Sequence, residues 1–432
     1  MRMPILINAM IMFVALAVAA PSSHEDQADD LASRIAETAV ARESGFIAAR
    51  RWFHQYPELS NREFETAAEI ARRLTELGYE PRTGIARTGV VAVLEGGLPG
   101  PVVAWRTDID ALPITEQVDV PYRSLNEGVM HACGHDIHMT VALGIAEVLM
   151  QHRDEVPGTV MFLFQPAEEG PPAGEEGGAP LMIKQGALND PRPAAIFGLH
   201  VMPTLPAGTM GWGSEGTMAA ADRFTIRISG RMTHGSAPHD GIDAVYVGSH
   251  VVTALQAIPS REVDARKALV VSVGTFHAGN RFNVIAGEAT LTGTVRTLDQ
   301  ETWEKMPGHL ERVVAGVCKA YRATYDLDYE RINPVTWNDP DLAAFAAASL
   351  QRSLGEENVL EVDPIMLAED FAHYQKEIPG VYLRLGVGNE TAGWTDYVHT
   401  PTFRPDEAAL VIGVTGAATL LTDFLTQRPL GD

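Results

Sequence analysis

The sequence predicts an α/β protein of two domains, one inserted in the other. Apolar strand-like runs at 102–105, 158–164 and 194–199 alternate with helical patterns, the order that builds a sheet covered by helices. Composition changes near Gly213, after which residues 224–330 read strand, helix, strand, strand, helix, strand, a compact two-layer unit. The 432 residues exceed one ordinary domain, and a hydrophobic content of 46% fills a sizeable core. The formal charge of -23 argues against nucleic acid as a partner, because a polyanion would be repelled.

Residues 1–20 read as an export signal. Met1 to Met3 carry a positive charge, 5–20 is apolar apart from Asn8, and Ala17-Val18-Ala19 offers a small-residue cleavage site. That run falls short of the roughly 20 residues that a membrane span needs, and the polar 21–30 reads as the leader of a mature protein. The expectation is a secreted or periplasmic protein with no stable span after signal removal; an uncleaved anchor is the alternative.

A helix over 42–55 has Phe46, Ile47, Ala49, Trp52 and Phe53 on one face, and His54 at its end reads as structural. Asn61 is placed as the cap of a second helix, 62–77, which Gly78 ends. The Val-rich strands 89–94 and 102–105, separated by turn chemistry, are expected to pair as a hairpin or as neighbours in a sheet. The second runs into Arg106-Thr107-Asp108-Ile109-Asp110. Carboxylates at i and i+2 at a strand end face one way, toward the edge where open α/β sheets bind ligands.

The stretch Met130-His131-Ala132-Cys133-Gly134-His135-Asp136-Ile137-His138 precedes the buried-helix run 140–150. Cys133 and His135, two apart with a glycine between, can turn their side chains to one side and make a corner of a metal site; the alternative is a helix start capped by Asp136. Strand 158–164 is followed by Ala167-Glu168-Glu169, and strand 194–199 by His200, so three strands in a row finish with a metal-capable side chain. The loop 171–179 intervenes, with Glu175 and Glu176 read as solvated charges. Cys318 falls in the helical 310–321 of the other domain, so a bridge to Cys133 is not expected. The first domain resumes with helix 340–354, Glu369-Asp370-Phe371, strand 381–385 and helix 406–425.

Taken in order, Trp-Arg-Thr-Asp-Ile-Asp-Ala-Leu-Pro, His-Ala-Cys-Gly-His-Asp, Gln-Pro-Ala-Glu-Glu, Gly-Leu-His and His-Thr-Pro closely resemble the motifs of the dimetal amidohydrolases. That family includes hippurate hydrolases, N-acyl-amino-acid amidohydrolases and auxin–amino acid conjugate hydrolases, and is related to the aminoacylases and co-catalytic zinc carboxypeptidases. The resemblance implies a mixed-sheet catalytic domain of zinc-exopeptidase type (34–215 and 334–430) with an inserted ferredoxin-like α+β lid or dimerisation domain (216–333). It implies that Cys133, His135, Glu169, His200 and His399 hold two divalent metal ions, zinc or manganese with cobalt or nickel as alternatives. Glu168 would be the general base. Asp110 would orient a ligand from behind, and Asp108 would do the same or bind weakly. His234, in Thr-His-Gly-Ser-Ala-Pro-His, matches a histidine that stabilises the tetrahedral oxyanion, often in the partner subunit's site. Asn283 and Arg296 match positions assigned to the substrate carboxylate or backbone, and Arg suits a carboxylate through its planar donor fork. Glu369 and Asp370 read as site wall, and His138, His239 and His277 as lacking direct metal contact.

Thr107, Ala286 and Thr400 stand where the family usually has alanine, proline and serine, and none is a proposed ligand. The chemistry fits the residues independently. Two ions about 3.5–4 Å apart lower the pKa of a water and polarise a carbonyl, while an adjacent free glutamate moves the proton. The expected substrate is a small N-acyl amino acid or short peptide, and a homo-oligomer would form through the lid. The alternatives are a dipeptidase or carboxypeptidase on the same scaffold, or a silent metal- or ligand-binding protein.

Overall fold

A computed structural model describes residues 24–427; the expected signal segment 1–20 lies outside the described residues. Helix α1 (His24–Gln55) starts well before the predicted 42, because Leu31, Ile35 and Ala39, each a helical turn apart, are buried. It is followed by α2 (Phe64–Glu76) and by strands β1 (Arg82–Ile85), β2 (Gly89–Glu95) and β3 (Leu98–Asp108). Then come α3 (His135–Gln151), β4 (Pro157–Gln165), α4 (Gly178–Lys184), β5 (Ala195–Pro206), β6 (Met210–Trp212) and β7 (Glu215–Met218).

The small unit comprises β8 (Ala220–Ser229), β9 (Thr233–His234), α5 (Ala244–Leu255), β10 (Leu269–Ala278), β11 (Val284–Ile285), β12 (Glu288–Thr297), α6 (Gln300–Ala320) and β13 (Thr324–Asn333). The chain returns through β14 (Thr336–Asn338), α7 (Pro340–Leu354), β15 (Val359–Glu361), α8 (Ala372–Gln375), β16 (Gly380–Gly388) and α9 (Ala409–Gln427).

The main sheet is mixed and runs β1-β2-β4-β3-β5-β16-β6-β15. Its four central strands, β4, β3, β5 and β16, are parallel, and their carboxyl ends point to one edge. β2 and β3 are neither a hairpin nor neighbours, which corrects the expectation: β4 lies between them, antiparallel to β2 and parallel to β3. The turn joining them passes over the start of β4, where the Gly96 and Gly97 N–H groups donate to the carbonyls of Gly158 and Arg153 at 2.8 Å. A Cβ on Gly97 would meet the Asp154 carbonyl oxygen at 2.5 Å. Local turn chemistry is real here, but burial of β3 on both faces decides its partners.

β8, β10, β12 and β13 form a second, antiparallel sheet, β10-β12-β8-β13, with α5 and α6 sealing a core of Phe224, Ile226, Val251, Leu291, Leu310 and Cys318. Cys133 belongs to the other core, and both cysteines are free. The two chain crossings between the units, β7 and β14, pair with each other as a ribbon.

Candidate metal centre

Each candidate ligand is delivered by an element end. α3 begins at Gly134, whose φ of +84° and lack of a Cβ (one would meet Val201 Cγ2 at 2.4 Å) let Cys133 and His135 turn inward together. β4 stops at Gln165-Pro166, and Ala167 takes a φ of +55° before Glu168 and Glu169. His200 lies in β5 two residues past Gly198, the last residue of β5 paired with β3. His399, also left-handed with φ +63°, is held by its N–H donating to the Ala132 carbonyl at 2.8 Å.

These segments converge. Cys133 Sγ lies 3.3 Å from His200 Nε2 and 3.2 Å from His399 Nε2, and His399 Nε2 lies 3.1 Å from Glu169 Oε1. His135 Nε2 is 3.9 Å from Glu168 Oε2 and 4.0 Å from Glu169 Oε1. The ligand atoms of Cys133, His135 and His200, of Cys133, Glu169 and His399, and of His135, Glu168 and Glu169 form three overlapping groups, each within 4.8 Å.

The partners behind the cluster fix which atoms face it. His135 Nδ1–H donates to the Asp110 carbonyl at 2.8 Å, and His200 Nδ1–H to the Val201 carbonyl at 2.7 Å, so both Nε2 lone pairs point inward. The Asp110 carboxylate accepts the Glu168 N–H at 3.1 Å, the Glu169 N–H at 3.0 Å and the Ser60 hydroxyl at 2.7 Å. Asp108 is spent on Arg106 at 2.8 Å and His138 Nδ1–H at 2.6 Å. His138 is occupied at both nitrogens, since the Val201 N–H donates to its Nε2 at 2.9 Å.

The cluster calls for positive charge. His135 Nε2 is buried with no hydrogen-bond partner, and Glu169 Oε1 faces His399 without a hydrogen bond to it. Burial lowers the His135 pKa, yet Asp108 and Asp110 outweigh it and lift the ring to about 10. Burial, then Glu169 and Glu168, push the Cys133 thiol well up. A site that in isolation must hold protons on an imidazole and a thiol amid carboxylates is one that divalent cations can discharge, and the mixed sulfur, nitrogen and oxygen donors fit a pair of them.

Residues 104–423, the whole span from β3 into α9, match the model of the peptidase family M20/M25/M40. The chain belongs to that family. It is 39% identical to the N-acetylcysteine deacetylase of Bacillus subtilis over 85% of this chain and 93% of that one. It is 35% identical to thermostable carboxypeptidase 1 of Saccharolobus solfataricus over 91% and 99%. Among solved structures it resembles a dinuclear metal binding peptidase of the M20 family from Bacillus subtilis, with a TM-score of 0.78, 36% identity, and 89% and 99% of the two chains covered. The protein therefore has the M20 fold and is a hydrolase.

This M20 hydrolase also contains groups that motif reading left aside. Arg106, buried in a strand, donates to Asp108, to Asp370 at 2.6 Å and to Gln165 at 2.8 Å, and pairs with Glu369 at 3.0 Å. Tyr382 donates to Glu369 at 2.8 Å. Glu168, Glu369 and Asp370 lie within 4.8 Å of one another, so the segment read as wall stands against the candidate base. Burial first, then the Glu369 and Glu169 charges, hold the Glu168 carboxyl well above the usual carboxylate range. An arginine inside an apolar strand was the available signal for this network.

His54 is structural, between Asp136 at 2.8 Å and Glu116 at 3.2 Å. Asn61 does not cap α2, which starts after Glu63; it takes a φ of +60° and its amide donates to Glu175 and to the Glu176 carbonyl, each at 3.1 Å. Nor are Glu175 and Glu176 merely solvated: Arg62 pairs with Glu175 at 2.6 Å, and Lys184 with Glu176 at 2.8 Å.

The small-unit candidates stand apart. His234 Nδ1 lies 2.7 Å from the Ser236 hydroxyl, the Asn283 carbonyl accepts the Gly235 N–H at 2.8 Å, and Arg296 donates to Thr294 and to the Val295 carbonyl. His234 and Asn283 adjoin each other through β9 and β11, but the hydrogen bonds of all three remain inside the small unit.

Proposed function

We propose that this M20 hydrolase is an exported amidohydrolase that removes the acyl group from an N-acyl amino acid or short peptide, working as a homodimer through the small unit. The observation that carries the amidase chemistry is Glu168. It stands against His135 and Glu169 in the cluster, lies outside the five proposed ligands, and is biased by its metal-free surroundings toward holding a proton. Cys133, His135, Glu169, His200 and His399 would hold two divalent ions, zinc or manganese being the expected metals, which when bound would acidify a water and polarise the scissile carbonyl.

Glu168 would accept the water's proton and pass it to the leaving nitrogen. Asp110 holds the Glu168 and Glu169 backbone so that one carboxylate ligates while the other stays free. His234 supplies a donor to the developing oxyanion from the partner subunit, and Arg296 and Asn283 grip the amino acid's carboxylate and backbone. A silent binding protein would have no use for Glu168. The deacetylase relative supports the acyl reading, and the carboxypeptidase relative supports a second one, cleavage of a C-terminal residue.

Purified protein loaded with zinc or manganese should hydrolyse at least one of hippurate-type, acetyl- or aryl-acyl amino acids faster than any dipeptide or carboxypeptidase substrate. Turnover of peptides alone would favour the second reading. Secretion of the full chain, with loss of its first residues shown by mass spectrometry, tests export.

A further inference from the structure

Glu63 belongs to no motif of the site, yet it is fully buried and its carboxylate accepts from three donors. The Asn61 N–H reaches Oε1 at 2.9 Å, the Thr88 hydroxyl reaches Oε2 at 2.6 Å, and across 104 residues of sequence the Ala167 N–H reaches Oε1 at 3.0 Å. Ala167 is the left-handed residue from which Glu168 and Glu169 depart. The three successive N–H groups of Ala167, Glu168 and Glu169 thus all end on buried carboxylates, the first on Glu63 and the other two on Asp110. A non-glycine residue at positive φ persists only where its surroundings over-determine it.

The other end of the same loop is gripped by the same tripeptide. Asn61 donates to Glu175 and to the Glu176 carbonyl, Arg62 pairs with Glu175, and a Cβ on Gly177 would meet Asn61 Oδ1 at 2.9 Å and Ala167 Cβ at 3.0 Å. The loop that begins with the base and the ligand therefore closes on itself at a neck clasped by Asn61, Arg62 and Glu63.

From this geometry we infer that Glu63 is a positioning residue for the hydrolytic site: by holding the Ala167 turn it sets where the Glu168 and Glu169 carboxylates stand relative to Cys133, His135 and His399. It touches neither substrate nor ligand atoms. The inference rests on the roles proposed above for Glu168 and Glu169, but its metal readout does not depend on which substrate is cleaved.

The test compares Glu63→Ala with Glu63→Gln in the full chain, measuring zinc affinity by competition with a chelator, and kcat and KM on whichever substrate the wild type turns over. Glu63→Gln keeps an acceptor oxygen for the Asn61 and Ala167 N–H groups, and Thr88 can accept from its amide. Glu63→Ala, folded by circular dichroism, should bind the more weakly held zinc about 10–100-fold less tightly and lose kcat by about 10²-fold with little change in KM, since an ångström of misplacement acts on the reacting geometry. Glu63→Gln should recover both to within a few-fold.

Wild-type zinc affinity and kcat in folded Glu63→Ala would overturn the inference, as would a Glu63→Gln no better than the alanine. If the alanine variant does not fold, Thr88→Val, which removes one of Glu63's three donors from a buried position, decides: a several-fold loss of zinc affinity supports the inference, and unchanged affinity overturns it. Absence of any wild-type turnover would count against the proposed function, while the zinc comparison would still decide the role of Glu63.

Discussion

The two units of this chain prepare their candidate functional residues in opposite ways. In the main unit Cys133, His135 and Glu169 are held from behind by backbone carbonyls, buried carboxylates and left-handed turns, so their ligand atoms are aimed before anything binds. In the small unit His234 is exposed, Asn283 and Arg296 are half-buried, and their hydrogen bonds stay within that unit. Rigid placement suits cations, whose coordination tolerates little error; surface placement suits groups that meet a substrate arriving from outside or a site in another subunit. Substitutions in the main unit should therefore act on metal and chemistry together or on chemistry alone, and those in the small unit on the substrate without the metal.

The largest effect should come from Glu168→Gln, which removes the proposed proton carrier and none of the five proposed ligands. Turnover should fall by about 10³–10⁴-fold while the metal content stays that of the wild type. His234→Ala should cost about 10²–10³-fold in kcat with the metal unaltered. Mixing these two inactive variants sharpens the contrast. If His234 serves the partner subunit's site, random exchange of subunits should restore about one quarter of wild-type activity; no recovery would place His234 in its own chain's site or outside the chemistry.

Asp110→Asn swaps one acceptor oxygen for a donor that faces the Glu168 or Glu169 N–H, and should weaken metal binding by about 10–100-fold, read by chelator competition.

A smaller, pH-dependent effect belongs to the clasp. Burial, and after it the Asp110 charge, push Glu63 up to about 7 from an ordinary value of 4.5. A carboxyl whose folded pKa is raised contributes stability that is full below the ordinary value and is lost as pH climbs through the folded one. Metal-free Glu63→Gln, which does not titrate, should thus gain on the wild type between pH 5 and 8, by at most roughly 3 kcal/mol. Denaturant melts at the two pH values measure it; a difference that does not change with pH would remove this assignment.

The sequence points to the candidate metal ligands because ligation demands particular residue types at element ends, and those ends are marked by continuous apolar runs, Gly134 and Pro166. It also reveals most elements: helix α7 runs over the predicted 340–354. What it hides is set by tertiary contact. That β4 separates β2 from β3 follows from which faces are buried, not from the turn between them. Asn61 looks like a cap because caps and loop clasps use the same side chain, and only the position of the 167–177 loop separates the two uses. Glu63 gives no local sign of its partner 104 residues away, and Arg106, a charge inside an apolar strand, signals a buried network without showing that Asp370, 264 residues on, belongs to it.

Metal titration of the stripped full chain, beside a Cys133→Ser variant, tests the central claim most directly. Convergence of the five side chains on two cations predicts two equivalents of cobalt or zinc per chain, a thiolate-to-cobalt absorption band in the wild type, and loss of that band with weakened binding in Cys133→Ser. A wild type that binds no metal stoichiometrically, or a Cys133→Ser protein with the same band and affinity, would contradict it.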